Sequence, residues 1–168
     1  MENNTPDARQ TIVTNTTPLI ALTAATGSLD ILQFLYKRVV VPLEVQTEMR
    51  AAGAQAVGVV AMDNATWLDC QTQELKISPY LANTLDRGEA SVIQTAMNLN
   101  IPLVCIDEAL GRRVARLSGL TLTGSIGVLL KAQKMGYTIS IEQAIERMRQ
   151  HGIWLSSEVI KFALQALH

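Results

Sequence analysis

The sequence predicts an α/β fold, a three-layer α/β/α sandwich in which helices cover both faces of a central parallel sheet. Two observations support this prediction. Short apolar segments that are typical of strands alternate along the chain with longer segments that have helical periodicity. The strand-like segments are also mostly apolar throughout, and continuous apolar strands are typical of a parallel sheet that is buried on both faces.

Five strands are predicted from short runs rich in apolar and β-branched residues that end in polar or turn residues. The second and fourth runs, RVVV and PLVCI, are the most continuously apolar, whereas the third alternates apolar and polar residues. In chain order the predicted strands are residues 11–14, 38–41, 66–70, 102–106 and 120–123.

Helices are predicted between and after these strands from apolar spacing and from residues that start or end helices. Pro18 suits a first helical turn and Gly27 a helix end, and serines precede the last two helices as N-cap candidates. The predicted helices are residues 18–27, 29–36, 43–52, 85–100, 108–119, 125–136, 140–152 and 156–167. A further short helix is expected at 54–63, and residues 71–84 are expected to be mostly loop.

Length and composition indicate one well-packed domain. We expect residues 1–10 to form a flexible N-terminal tail and residues 11–168 a single domain, with C-terminal helices from about residue 140. The chain shows neither a signal-peptide pattern nor a run approaching the ~20 apolar residues that span a bilayer, so we expect a cytoplasmic protein without a membrane partner. A net charge of −1 and 4% aromatic residues disfavour a polycationic nucleic-acid binder and a base-stacking platform.

Polar residues follow the first and fourth predicted strands, at the sheet edge where ligands bind in open parallel sheets. Asp107 is either the N-cap of the next helix or an active-site carboxylate, and the two roles are compatible. Asn15 is either a turn residue that bonds its own backbone or part of a site, and Thr17 could cap the helix that Pro18 opens.

Two helical glutamates also have two readings each. Asp86 and Glu89 match a capping box, yet helical spacing places Glu89 at the head of the apolar stripe of its helix, where a carboxylate needs a cation or a donor. Glu48 borders the packed face of its helix and is either exposed or functional. Glu44 lies further from that face, and we expect it to be exposed.

One hypothesis covers Asn15, Glu48, Glu89 and Asp107: they converge above the sheet and hold a hard divalent cation such as Mg²⁺. Histidine and cysteine play no part, because Cys70 and Cys105 lack metal-ligand spacing and the only two histidines, at 151 and 168, are expected to face solvent. Basic residues follow Asp107 on one helix, namely Arg112, Arg113 and Arg116. They form either a solvated face or a patch that contacts phosphate groups.

At this point the chain resembles the PIN-domain family, and more narrowly a bacterial branch related to VapC-type toxins. The resemblance spans about residues 11–150 and rests on the order and spacing of IVTNTTPLIAL, VVVPLEVQTEM, LDRGEASVIQTA, LVCIDEALGRRVA and LTLTGSIGVLL. It implies an α/β/α fold and a ribonuclease that depends on Mg²⁺ or Mn²⁺. It also implies a homodimer and a toxin that an antitoxin protein neutralises.

The resemblance places the family's first acid at Asn15, with Thr17 beside it, and the remaining acids at Glu48, Glu89 and Asp107. A further polar position falls near 123–125, where Ser125 can bond but adds no charge. Asn15 departs from the pattern because it offers an oxygen without a charge, which should weaken Mg²⁺ binding. On this reasoning Asn15→Asp should increase cleavage and Glu89→Ala should abolish it.

Two other functions stay open from the sequence. The same fold with catalysis reduced through Asn15 would be an RNA- or protein-binding module. A phosphoryl-transfer or response-regulator-like domain also uses aspartates at strand ends, but the first and fourth strand ends carry only Glu108 as a second acid. The apolar residues of 153–167 could pack on the domain itself, on a second copy, or on an antitoxin helix.

Overall fold

The computed structural model describes residues 7–167 and contains a sheet of five parallel strands. The strands are β1 (Thr11–Thr14), β2 (Arg38–Val41), β3 (Asp69–Cys70), β4 (Leu103–Cys105) and β5 (Thr121–Thr123). Their spatial order is β3-β2-β1-β4-β5, so the central strand, β1, lies beside β4, which comes much later in the sequence. Val13 of β1 pairs with Val40 on one side and with Val104 on the other.

Ten helices lie within residues 7–167 and flank the sheet, which confirms the predicted three-layer α/β/α fold. They are α1 (Thr16–Thr26), α2 (Asp30–Leu35), α3 (Leu43–Arg50), α4 (Val57–Asn64), α5 (Pro79–Thr84), α6 (Arg87–Asn98), α7 (Ala109–Leu117), α8 (Ser125–Lys134), α9 (Ile141–Gln150) and α10 (Ser157–Gln165). α6 lies against β1 and β4, whereas α1 packs on α4 and α9.

Burial of the central strands explains why their apolar runs identified them. Ile12, Val13, Val40 and Val104 are fully buried, because the helical layers exclude water from both faces of the sheet. The strands at the sheet edges are shorter than predicted, and β3 retains only two of the five residues expected at 66–70.

Helix α5 was not predicted, because the sequence around it was expected to be mostly loop. The local signal was nevertheless present: Ser78 is the N-cap, its side chain accepts a hydrogen bond from Leu81 N at 3.4 Å, and Pro79 occupies the first turn. The helix has only six residues, which leaves little periodicity to detect.

Both ends of the chain extend beyond the described residues. The predicted tail falls partly within residues 1–6, and the prediction for His168 also lies outside the described part. Closer to β1, the carbonyl of Gln10 accepts a hydrogen bond from Lys37 N at 3.1 Å, and Arg9 Nη1 donates to Gln33 O at 2.8 Å. No helix within residues 7–167 is long and apolar enough to cross a membrane.

The C-terminal helix packs on the domain through one side and leaves large apolar side chains in solvent on the other. α10 contacts α8 and α9, and Ala163 is its only buried residue within the described part. Trp154, just before this helix, and Phe162 within it are exposed.

Candidate metal centre

The candidate site lies where the order of the sheet reverses, between the carboxyl ends of β1 and β4. From β1 the chain continues outward to β2 and β3, and from β4 it continues outward to β5 on the other side. Asn15 directly follows β1, and its backbone N donates to Cys105 O at the end of β4 at 3.1 Å. The loops after these two strands therefore face one crevice, the usual ligand position in open parallel sheets.

Asn15 projects into this crevice and is only 3% exposed. It is the N-cap residue of α1, but its side chain makes no capping hydrogen bond. Its Nδ2 atom donates to Glu108 Oε2 at 3.4 Å, whereas Oδ1 is buried without a hydrogen-bond partner. The reading of Asn15 as a turn residue that bonds its own backbone is therefore wrong, since the amide is directed to the site.

Glu108 is a site residue that the sequence reasoning missed. It is half-buried, and besides Asn15 it contacts Thr17, whose Oγ1 donates to Glu108 Oε1. The prediction that Thr17 caps α1 is wrong, because the helix begins at Thr16 and the Thr17 hydroxyl turns to this carboxylate. The only sequence signal for Glu108 was its position directly after Asp107 at a strand end.

Asp86 and Glu89 share the start of α6, where Asp86 caps the helix as predicted but Asp86 N makes no reciprocal hydrogen bond to the Glu89 side chain, so the capping box is only half formed. Asp86 is the N-cap, and its Oδ1 accepts a hydrogen bond from Glu89 N at 2.8 Å. Glu89 itself is 5% exposed, and its Oε1 atom is buried without a partner. That oxygen lies 2.6 Å from the point where a β carbon on Gly111 of α7 would stand, so the glycine makes room for the carboxylate.

Gly88 makes a second opening, which we call the Gly88 cradle. A β carbon at this position would lie 3.3 Å from Asn15 Oδ1 and 3.5 Å from Asp86 Oδ1, and closer still to Glu48 Oε2. The cradle is therefore a small space bordered by oxygens of three side chains. It places Glu48 with Asn15, as the metal hypothesis required.

Glu44 differs from its predicted position. It was expected to be exposed, yet it is 6% exposed, and its Oε1 accepts a hydrogen bond from Leu75 N at 2.9 Å. The segment before α5 covers this end of α3, which the pattern of α3 alone could not indicate. Glu48, one turn later, is exposed, in agreement with one of its two predicted readings.

Asp107 is held by the N-terminus of α8 and does not cap its own helix. Its Oδ1 accepts a hydrogen bond from Ser125 N at 2.8 Å, and its Oδ2 accepts one from Ser125 Oγ. The N-cap of α7 is instead Glu108, so the reading of Asp107 as the cap of the following helix is wrong. Ser125 is buried, and this pair fixes the carboxylate at the site.

Of the three arginines on α7, one is part of the framework. Arg112 Nη1 donates to Ile106 O at 2.9 Å and to Thr123 O at 3.2 Å, which ties the ends of β4 and β5 together. Arg113 and Arg116 are exposed. The exposed Arg113 therefore remains a candidate for the predicted contact with phosphate, whereas Nη1 of Arg112 already donates hydrogen bonds to the two backbone carbonyls.

Comparison with known families gives this arrangement a context. A family model described as a PIN domain matches residues 11–168, nearly the whole chain. The chain belongs to the PIN-domain family. This confirms the predicted family and gives the chain a nuclease-type fold, while the VapC-type branch stays a prediction. No curated protein matches the sequence.

Burial raises the pKa values of three carboxylates at this site, and neighbouring negative charges add to each shift. Burial, followed by the charges of Asp86 and Glu108, raises the pKa of Glu89 to about 7. Burial is also the main cause of the raised pKa of Glu48, and the charges of Asp86 and Glu108 add to it. The pKa of Asp107 is raised by burial as well, although the hydrogen bonds from Ser125 oppose that shift.

The oxygen donors fit a hard divalent cation that keeps part of its water shell. Within residues 7–167, no three Asp, Glu, His or Cys side chains are grouped so that they alone could hold an ion. Mg²⁺, however, is usually held through one or two carboxylates together with waters and phosphate oxygens. Five buried side-chain oxygens in the described part of the chain have no hydrogen-bond partner, and two of them, Asn15 Oδ1 and Glu89 Oε1, belong to the site residues; each is a desolvated acceptor that a cation or its water could satisfy.

Proposed function

We propose that this PIN domain is a ribonuclease that depends on Mg²⁺ or Mn²⁺ and hydrolyses RNA phosphodiester bonds. The observation that supports it is the pair of buried, unpartnered oxygens of Asn15 and Glu89 among carboxylates at the switch point of the sheet. The carboxylates around these two oxygens repel one another, and a cation bound among them would offset that repulsion. The nuclease-type fold of the family is consistent with this chemistry.

The proposed roles follow from the contacts of each side chain. Glu89, Asp107 and Glu48 would hold the cation only together with waters and phosphate oxygens, because the three carboxylates are not grouped closely enough to hold it alone. Asn15 Oδ1 would accept a hydrogen bond from one of those waters and so position it. When bound, the cation supplies charge neutralisation at the phosphodiester and a lowered pKa for a water molecule. Ser125 positions Asp107 through two hydrogen bonds, and Thr17 positions Glu108.

The phosphate backbone of RNA would meet the exposed face of α7. Arg113 and Arg116 extend from this helix, whose N-terminus lies beside Glu108, while Arg112 keeps the two strand ends together. Because the net charge of the chain is −1, such a local patch must supply the attraction for RNA.

A protein partner is part of the proposal, as in a toxin–antitoxin pair or a homodimer. The exposed side chains of Trp154 and Phe162 support it, because large apolar groups in solvent are typical of contact surfaces. Trp154→Ser with Phe162→Ser should leave the thermal unfolding midpoint Tm of a monomer unchanged and should reduce association, measured by light scattering. The same molar mass for the native chain and for the double variant would contradict a homodimer formed through Trp154 and Phe162.

The decisive experiment is cleavage of a panel of structured RNAs in Mn²⁺. The native chain is compared with Glu89→Gln and Asp107→Asn, and with Glu158→Gln as a control that removes an exposed acid on α10. The two site variants should lose about two orders of magnitude in rate, the scale for losing a group that stabilises transition-state charge. Equal cleavage by all four proteins would indicate a contaminating nuclease and would refute the assignment.

A second candidate is a PIN-fold module that binds RNA or protein with catalysis weakened or lost. It is favoured by the neutral Asn15 and by the lack of a three-ligand group within residues 7–167. The discriminating measurement is thermal unfolding with millimolar Mn²⁺. A rise in Tm supports the enzyme, because a ligand that binds only the folded state stabilises it, and an unchanged Tm supports the module.

A further inference from the structure

We propose that Glu108 supplies the negative charge that Asn15 lacks, so that the two side chains act as one unit at the cation site. This inference rests on the proposed function, since it names the charge that the cation would meet. It assigns a role to a residue that the family pattern leaves without one. In this role Glu108 is a positioning residue that acts through Asn15.

The contacts of Glu108 define the unit. One carboxylate oxygen accepts a hydrogen bond from Asn15 Nδ2 at 3.4 Å, and the other accepts one from Thr17 Oγ1. Both donors follow β1, whereas Glu108 follows β4, so the unit bridges the ends of two neighbouring strands. A carboxylate held by two donors from the neighbouring strand end has its position fixed at the switch point of the sheet.

The chemistry of the amide explains how the pair is oriented. An ionised carboxylate can only accept hydrogen bonds, so Glu108 selects the NH₂ end of the Asn15 side chain. The oxygen end must then point away from Glu108 and into the Gly88 cradle, where it is buried and unpartnered. The carboxylate thus aims a neutral oxygen at the site while it holds the charge one side chain further back.

The charge of Glu108 also reaches the other acids of the site. Burial is the main cause of the raised pKa values of Glu48, Glu89 and Asp107, and the Glu108 charge contributes to each of them. An acid whose field acts on three carboxylates would also act on a cation placed among them. Glu108 therefore supplies to the site a negative charge that stands one side chain behind the place where an acid at residue 15 would have it.

This arrangement adds a cost to Asn15→Asp, the substitution that the sequence expects to increase cleavage. A carboxylate at residue 15 would face Glu108 across about the same 3.4 Å, where Asn15 now donates a hydrogen bond. One attraction would be replaced by repulsion between like charges. Asn15→Asp alone should therefore destabilise the metal-free protein. In the double variant with Glu108→Gln, the negative charge is at residue 15 instead of residue 108, and the amide of residue 108 can donate a hydrogen bond to the carboxylate of residue 15.

The test is a four-protein comparison of the native chain, Glu108→Gln, Asn15→Asp and the double variant, with Glu158→Gln as the charge-matched control. Each is measured as Tm in EDTA, as Mn²⁺ affinity by calorimetry, and as RNA cleavage. Glu108→Gln should bind Mn²⁺ about tenfold more weakly than the native chain, and the control should bind it equally. Asn15→Asp should have a lower Tm in EDTA than the native chain.

Rescue decides between a moved charge and a merely structural contact. The double variant should recover the Tm that Asn15→Asp loses and most of the Mn²⁺ affinity that Glu108→Gln loses. Native affinity in Glu108→Gln, or a double variant no better than Glu108→Gln, would overturn the inference and leave the ribonuclease proposal intact. A native chain that binds no Mn²⁺ would overturn the proposed function and this inference with it.

Discussion

Removing the charge of Glu89 should stabilise the metal-free protein, and only at neutral and alkaline pH. Burial, with the charges of Asp86 and Glu108, raises the pKa of Glu89 from 4.5 to about 7. A carboxyl whose pKa is raised in the folded state is most favourable when protonated, so its contribution falls as the pH rises from about 4.5 to 7. Glu89→Gln cannot ionise and therefore avoids that loss.

The size of the effect follows from the same values. The difference between 4.5 and about 7 corresponds to about 3 kcal/mol above pH 7. Water and salt reach the mouth of the site beside the exposed Glu48 and Asp86, so screening reduces this to about 1 to 2 kcal/mol. For a chain of this length that is roughly 5 °C in Tm.

Thermal unfolding followed by circular dichroism in EDTA provides the assay, at pH 5 and at pH 8. Glu89→Gln should match the native chain within about 1 °C at pH 5 and exceed it by roughly 5 °C at pH 8. Glu158→Gln, which removes an exposed acid from α10, should show no such pH-dependent difference. An equal effect of Glu89→Gln on Tm at both pH values would show that ionisation of Glu89 does not destabilise the folded protein.

Three further substitutions test the rest of the site. Gly88→Ala places a β carbon in the cradle beside Glu48. It should therefore abolish the rise in Tm that Mn²⁺ causes, while Tm in EDTA stays the same or increases. A Tm that still rises with Mn²⁺ would contradict this. Ser125→Ala should lower the free energy of unfolding at pH 7 by about 2 kcal/mol in urea, because Asp107 loses a donor, and no change would show that water replaces it. Arg112→Gln should lower the free energy of unfolding by about 1 to 3 kcal/mol, because the carbonyls of Ile106 and Thr123 lose their shared donor. Unchanged stability together with weaker RNA binding would instead indicate that Arg112 contacts phosphate.

The fold was predictable because the features that determine it are local. The five strands are short apolar runs, and the strands nearest the centre, such as that of Ile12 and Val13, are fully buried. Helix ends followed caps such as Asp86 and Gly27, which act within one turn of the chain. The missed helix α5 is too short for its apolar spacing to stand out, although Ser78 and Pro79 mark its start.

The site was predictable in part, because strand ends indicate where polar residues gather but not which atoms meet. Asp107 could not be matched with Ser125 from periodicity, since the contact joins residues 18 apart across two elements. Glu44 and Glu48 lie on one helix four residues apart, and only the covering segment at Leu75 distinguishes the buried one from the other. Glu108 gained its importance from Asn15, 93 residues earlier.

The pairing of β1 with β4 has a consequence for when the site can come into being. β1 is synthesised first, but its neighbour on one side is a strand some ninety residues later, and Asp107 is fixed only once Ser125 has been added. Contacts so distant in sequence form late, because closing the intervening loop must precede them. A growing chain that has not yet reached Asp107 and Ser125 therefore carries Asn15 and Glu48 without the residues that complete the site. We expect the capacity to bind a cation to arise only after about three-quarters of the chain has emerged.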